Sequence, residues 1–146
     1  MERAAYKRYF DPDKDPFYSM FNVGDYSVAP WKVVWSEQAS ELECAVVGKK
    51  SGKVILPDHK VMLIACDEEH EAHYILGIVN SSIFRFAVGA YAIEIQMDPH
   101  LVENVRVPKF NPTSKLHQQI AAEAQRLSSG AADAGEPVHE HLAVSM

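Results

Sequence analysis

The residues best suited to chemistry are one cysteine and two histidines that lie close together in the sequence. Cys66, His70 and His73 form the pattern C-x3-H-x2-H, and thiolate and imidazole groups are common zinc ligands. On a helix, His70 and His73 would share one face because they are three residues apart. No fourth ligand lies nearby, Cys66 ends an apolar run, and histidines in an acidic first helical turn are usually solvated. We therefore expect no metal site here.

A second candidate is the pair Asp58-His59, which could act as an acid and a base. The stretch Leu56-Pro57-Asp58-His59 is, however, typical of a turn that precedes a strand. The sequence contains no glycine-rich phosphate loop, no G-x-S-x-G, no H-E-x-x-H and no C-x-x-C. A small enzyme that uses the histidines is thus the least favoured class.

Side chains that suit nucleic acid are concentrated between residues 31 and 60. Aromatic rings can stack on bases, and ammonium groups can bind phosphates. The candidate DNA-binding residues are Trp31, Trp35, Lys32, Lys49, Lys50, Lys53 and Lys60. The lysines of the loop at 48–53 are the best candidates for phosphates. The tryptophans can equally belong to the core, and the lysines can be ordinary solvated groups.

The charge of the chain is uneven along its length. The 146 residues carry a net charge of −6, and residues 128–146 contain three acidic side chains and no basic ones. An acidic total argues against indiscriminate binding to nucleic acid. Residues 31–66 nevertheless hold five lysines against four carboxylates, so a local basic face is compatible with that total.

The elements that would position these residues are organised around the stretch 67–88. Its apolar side chains recur with a helical period and predict one stripe that covers a core: Ala72, Ile75, Leu76, Val79, Ile83 and Phe86. Asp67 is the predicted N-cap. Asn80-Ser81-Ser82 is poor in a helix interior, so we expect one helix or two short helices broken there, with a serine capping the second.

Strands and one further helix are predicted around this stretch. The predicted strands cover 31–35, 42–48, 60–66, 91–97 and 104–110. A last helix is expected to be capped by Asn111 or Thr113 and to bury one face made of Leu116, Ile120, Ala124 and Leu127. The predicted fold class is α+β: a small mixed or antiparallel sheet packed on a central amphipathic helix or helix pair, with a C-terminal helix.

One folded domain is expected, because 146 residues that are 47% hydrophobic leave no length for a second core. We place it at residues 17–127, between a flexible lead-in at 1–16 and a disordered tail at 128–146. No apolar run is long enough for a membrane span and no signal region opens the chain, so we expect a cytoplasmic protein. Cys44 and Cys66 lie in apolar runs and are expected to be reduced core thiols.

Three segments of the sequence carry a resemblance to a known family: FNVGDYSVAPWKVVW, ILPDHKVMLIACDEEHEAHYILGIVNSSIFRF and VRVPKFNPTSKLHQQIA. In order and spacing they resemble the TaqI-like C-terminal specificity domain, the target-recognition region of N6-adenine DNA methyltransferases of restriction-modification systems. The helix followed by Asn-Ser, and the later strand that ends in a proline, also look like the recognition domains of type I specificity subunits. The resemblance covers about residues 17–127.

The resemblance implies a domain that contacts duplex DNA and selects a target sequence. An attached or partner methyltransferase core would then flip out an adenine and methylate it with S-adenosylmethionine. This chain lacks that core, including the Asn-Pro-Pro-Tyr/Phe motif, so the resemblance transfers no catalytic or cofactor-binding residue. We expect a non-catalytic recognition domain without a cofactor, whose partners are duplex DNA and a methyltransferase core or another restriction-modification subunit. The alternative is a protein-interaction or remnant module that keeps the fold without DNA affinity.

Overall fold

The computed structural model describes residues 24–39, 41–49, 51–58, 60–91 and 105–134. The strands are β1 (Trp31–Ser36), β2 (Cys44–Val47) and β3 (Val61–Cys66), and the helices are α1 (Glu69–Val79), α2 (Ser82–Tyr91) and α3 (Lys115–Ala134). A 3-10 turn at Asp25–Val28 precedes β1. The predicted α+β class, with a small sheet on a central helix pair and a C-terminal helix, is confirmed.

Strand β1 is the centre of the sheet and pairs antiparallel with β2 on one side and with β3 on the other. Val33 and Trp35 of β1 point to the helix side and are buried, since alternate residues of a strand share one face. Because β2 and β3 both run opposite to β1, they are parallel to each other. The connection at 48–60 must therefore run back along the whole length of the sheet.

The predicted break of the central helix is confirmed. Helix α1 ends at Val79, and α2 starts at Ser82 after Asn80 and Ser81. The Ser81 hydroxyl accepts a hydrogen bond from the backbone N–H of Phe84 at 3.1 Å, which caps α2 as expected. The predicted N-cap of α1 was wrong by one position: Glu68 occupies it and makes no capping hydrogen bond through its side chain.

The apolar stripe of α1 does not continue in phase into α2. Ala72, Leu76 and Val79 are buried and Ile75 is partly buried, as predicted, but Ile83 is 80% exposed and Phe86 is 82% exposed. The core side of α2 is formed instead by Phe84 and Val88. The two residues at the break rotate the second helix relative to the first, so one period extended across the break selects the wrong face.

The C-terminal helix begins later and ends later than the sequence indicates. Asn111 forms a turn in which its Oδ1 accepts from the N–H of Thr113, and Ser114, immediately before α3, accepts from the N–H of His117 at 3.4 Å. The predicted cap therefore lies one to three residues too early. At the other end α3 continues to Ala134, so residues 128–134 of the predicted tail are helical.

The buried face of α3 was predicted only in part. Ala124 is buried, and Ile120 and Leu127 are partly buried, but Leu116 is 62% exposed and Ala121 is buried in its place. Residues 105–110 form no strand, contrary to the prediction for 104–110. The lead-in at 1–16, the residues of the strand at 91–97 that follow Tyr91, and the tail beyond Ala134 lie outside the described residues.

Helices α1 and α3 pack closely at Gly77. A Cβ atom at this position would lie 2.8 Å from Cγ2 of Ile120 and 3.3 Å from Cβ of Ala124, so only a hydrogen fits between the helices. Cys44 and Cys66 are buried thiols, which confirms that both belong to the core. Burial raises the pKa of each thiol to about 12. Among the described residues, no helix has the length and apolar character to cross a membrane.

Candidate nucleic-acid interface

Lys32, predicted as a DNA contact, lies inside the protein. Its side chain is 1% exposed, and its Nζ donates a hydrogen bond to the carbonyl of Ala29 at 2.6 Å. Burial disfavours the charged ammonium and lowers the pKa of Lys32. Because alternate residues of a strand share a face, Lys32 points to the sheet face opposite to Val33, and its burial means that this face is also covered at Lys32. No surface is left on this side chain for a phosphate in this conformation.

The two predicted tryptophans have different surroundings. Trp35 is 4% exposed and belongs to the core between sheet and helices. Trp31 is partly buried, and its ring lies so close to Gly48 that a Cβ atom at that position would collide with it. The ring of His73 packs on Trp31 at a centroid distance of 6.4 Å. Trp31 therefore sits at the end of the sheet from which the lysine-rich loop departs.

Lys49 and Lys53 are exposed, and neither makes an ion pair with another described residue. The loop turns between them at Ser51 and Gly52, which have φ values of 52° and 76°. Two consecutive residues in this left-handed region are typical of a tight type I′ turn. The turn presents the lysines to solvent. Lys50, between them, lies outside the described residues.

Lys60 is at the other end of the connection. Its backbone carbonyl accepts from the N–H of Glu37 at 3.0 Å, and its Nζ lies 3.5 Å from Oε2 of the same residue. Five steps of about 3.3 Å, or about 16 Å in all, separate the two ends of β1. The predicted residues thus do not form one patch: Trp31, Lys49 and Lys53 belong to one end of the sheet, and Lys60 to the other.

The end that carries Lys49 also carries negative charge. Trp31 pairs with Cys66 in the sheet, so Asp67 and Glu68, which follow β3, lie on the far side of β1 from Lys49. Strands β2 and β3 are two strand spacings apart, about 10 Å. At this end of the sheet, the positive charge therefore lies beside β2 and the negative charge beside β3.

Sequence reasoning missed a second group of cations. Arg106, Lys109 and Lys115 are exposed, and none of them makes an ion pair with another described residue. The sequence feature that could have identified them is the stretch 105–122, which contains these three cations and no carboxylate. The group has acidic neighbours, because Lys109 lines the same groove as Glu71. That groove, of about 330 Å³, is bounded by β3, α1 and residues 105–110.

The residues that carried the family resemblance contact one another. Tyr74 is buried, its hydroxyl donates to the carbonyl of Pro108 at 3.1 Å, and its ring stacks on His117 at 4.5 Å. Burial raises the pKa of the Tyr74 phenol above its ordinary value. Asn80 exchanges two hydrogen bonds with the backbone of Cys44 in β2. Tyr74 and Gly77 therefore hold the second segment against the third, and Asn80 joins the second segment to β2.

The C-x3-H-x2-H pattern does not converge on one point. Cys66 is buried with a raised pKa, His73 is buried with its Nδ1 2.9 Å from the carbonyl of Glu69, and His70 is exposed. In the part of the chain that the structure describes, no cluster of three or more potential ligands could hold a metal ion. His59 lies outside the described residues.

Comparison with known proteins finds that part of the chain is similar to a methyltransferase. The relative is the type II methyltransferase M.NspV of Nostoc sp. (strain ATCC 29411 / PCC 7524), with 34% identity over 70 residues. The similar stretch is 48% of this chain but only 15% of that methyltransferase. This similarity supports a relationship with restriction-modification methyltransferases. No protein-family profile matches the chain, and no solved structure matches it significantly.

Proposed function

We propose that this chain is a DNA target-recognition domain related to the TaqI-like C-terminal specificity region of N6-adenine methyltransferases. It selects duplex DNA for a methyltransferase core and is not catalytic by itself. The observation that carries the proposal is the mutual packing of the three segments that resemble that family. The strand containing Trp31 is the centre of the sheet, and Tyr74 joins α1 to Pro108. The similarity to a type II methyltransferase adds independent support.

Within this proposal, the loop after β2 is the part that touches phosphates. Lys49 and Lys53 are exposed and have no carboxylate partner among the described residues. The turn at Ser51 and Gly52 projects them from the sheet. Phosphate contacts of this kind position a protein on DNA, whereas base edges in the grooves supply the sequence information. Lys32 and Trp35 belong to the scaffold behind the loop, because both are buried.

The test is the salt dependence of binding to a fluorescently labelled duplex of mixed sequence. Changing Lys49, Lys50 and Lys53 together to Ala should weaken binding on any sequence. The slope of log affinity against log salt should fall by up to about 0.9 for each phosphate that the loop no longer neutralises. The matched control changes Arg106, Lys109 and Lys115 to Ala, which removes the same number of exposed cations from the segment that leads into α3 and should leave the slope nearly unchanged.

The outcomes separate the competing functions. If the control lowers the slope and the loop variant does not, the phosphates are bound by the segment around α3. If the parent chain binds no duplex even when joined to a methyltransferase core, it is a protein-interaction or remnant module.

The non-catalytic part of the proposal has its own measurement. A calorimetric titration of the chain with S-adenosylmethionine should give no heat of binding, since the sequence has neither the glycine-containing strand end that holds this cofactor in the family nor the Asn-Pro-Pro motif that grips the adenine. A micromolar dissociation constant would contradict it.

A further inference from the structure

Helix α2 is apolar on both sides. Its sequence, SIFRFAVGAY, contains one charged residue, Arg85, and the guanidinium of that residue is bound to Glu41 at 2.8 Å. Phe84 and Val88 fill the core side. Ile83 and Phe86, three residues apart and therefore neighbours on the helix surface, are 80% and 82% exposed on the other side. A helix that is apolar all round is normally buried all round.

The described part of the chain leaves this second face uncovered. With an aromatic ring contributing roughly 150–250 Å² when fully covered, Ile83 and Phe86 together offer on the order of 300 Å². A stable dimer of two independent proteins needs about 800 Å² from each partner. An interface between domains of one protein needs only about 600–1,500 Å² in total, or about 300–750 Å² from each side. The patch has the size of an interdomain contact.

We propose that Ile83 and Phe86 form the docking surface for a methyltransferase core. This inference rests on the proposed function and adds the surface through which the two parts meet. The 70 similar residues are 15% of a methyltransferase, so in that relative the corresponding stretch has a much larger protein body beside it. The surface of the methyltransferase core that contacts Ile83 and Phe86 is expected to be apolar. Arg85 of α2 is bound to Glu41, which precedes β2, whereas Lys49 follows the other end of β2, so docking on α2 leaves the loop available to DNA.

The experiment measures binding of this chain to the part of the Nostoc methyltransferase that lies outside the similar stretch. Binding of S-adenosylmethionine first verifies that this core is folded. Because the patch is smaller than one side of a stable complex of separate proteins, the parent chain should bind the core weakly and at high protein concentration. Ile83→Glu together with Phe86→Glu should weaken this affinity at least tenfold. Both positions are exposed, so the variant should keep the circular dichroism spectrum and the urea midpoint of the parent. Leu116→Glu, at an exposed apolar residue of α3, is the matched control and should bind like the parent.

Three results would overturn the inference: no binding of the core by the parent, equal binding by the parent and the double variant, or loss of binding in the Leu116→Glu control alone. Sedimentation of the chain by itself tests the other occupant, because a dimer that the double variant dissolves would assign the patch to a second copy. Failure here differs from failure of the proposed function. DNA binding by the chain is measured without the core, and the double variant should bind duplex as the parent does.

Discussion

The side chain of Asn80 is bound to both backbone polar groups of Cys44, 36 positions earlier in the sequence. Its Oδ1 accepts from the N–H of Cys44 at 2.9 Å, and its Nδ2 donates to the carbonyl at 2.8 Å. An amide side chain thus takes the place of a neighbouring strand at this point of β2. The bonds join the break between α1 and α2 to the sheet, which explains a buried asparagine where a helix has to end.

Loss of this amide should be costly. Asn80→Ala leaves a buried N–H and a buried carbonyl without partners, and each such group costs about 1–3 kcal/mol. We expect a decrease of about 2–4 kcal/mol in the free energy of unfolding, measured in urea. Asn80→Asp should also destabilise, because it replaces the donor by an oxygen that faces the Cys44 carbonyl. A change below about 0.5 kcal/mol for Asn80→Ala, the range of ordinary surface substitutions, would contradict this role.

Leu76 and Phe86 test which face of each helix is buried. Leu76 is fully buried and Phe86 is 82% exposed. Leu76→Ala should cost about 2–5 kcal/mol, the usual range for a large-to-small change in a core, whereas Phe86→Ala should shift the urea midpoint little. Equal effects of the two substitutions would mean that α2 has the orientation that the uninterrupted helical period predicts.

The same substitution at two helical glycines should have opposite signs. Gly77→Ala places a Cβ 2.8 Å from Ile120, and the strain should exceed the gain of up to about 1 kcal/mol in helix propensity. Gly130 in α3 has no neighbouring atom within 4 Å of such a Cβ, so Gly130→Ala should stabilise. Thermal unfolding of the two variants decides the matter, and a higher melting temperature for Gly77→Ala would show that α1 and α3 can separate at little cost.

The buried thiols should make the protein sensitive to alkaline pH. The pKa of Cys44 and of Cys66 is about 12 in the fold, against an ordinary value of 9.0, so the folded state holds these protons more tightly. Their contribution to stability is complete below pH 9 and is lost as the pH rises towards 12. Urea midpoints at pH 8, 9, 10 and 11 should therefore fall, and the fall should be shallower in Cys44→Ala with Cys66→Ala. If the urea midpoint fell equally with pH in the parent and in the double variant, the thiols would not be the cause of the loss of stability.

Lys32 separates a scaffold role from a DNA role. Its ammonium is buried with one hydrogen bond to Ala29. Lys32→Met removes the cost of burying the ammonium but also removes the donor to the Ala29 carbonyl, and these two effects oppose each other. Lys32→Met should therefore shift the urea midpoint less than Lys32→Ala does, and it should leave the salt dependence of DNA binding unchanged. Lys32→Ala, which also removes the methylene chain, should destabilise. A shallower slope of log affinity against log salt for Lys32→Met would show that Lys32 contacts DNA.

The sequence predicted those elements whose signals are local. The strand at 31–35, the helix break at Asn80 and the buried stripe of α1 follow from periodicity and hydrogen-bonding chemistry within a few residues. The errors have a common cause, which is extension of a local pattern beyond its limits. The period of α1 predicts burial of Phe86 only if it continues through the break, which it does not. The apolar alternation at 104–110 predicts a strand, but Val105 and Val107 pack against the core without forming one.

The candidate interface was harder to predict because exposure depends on tertiary neighbours. Lys32 and Lys49 are the same residue type in the same charge-rich stretch. Lys32 points from β1 to a sheet face that is covered, whereas Lys49 follows the end of β2 and is exposed. The second cationic group, Arg106, Lys109 and Lys115, has no tryptophan nearby in the sequence, so the combination of aromatic and basic residues does not identify it.

Between its fixed ends at Gly48 and Lys60, the crossover gives the domain a region whose length can change at little cost. It joins β2 to the parallel strand β3 across the sheet, and its ends are held by strands whose pairing depends on residues elsewhere. Doubling the length of such a connection costs only about 0.6 kcal/mol in closure entropy, a small part of the roughly 5–15 kcal/mol of a typical domain. Insertions and exchanges there can change what the domain binds while Tyr74, Gly77 and Asn80 keep the frame constant.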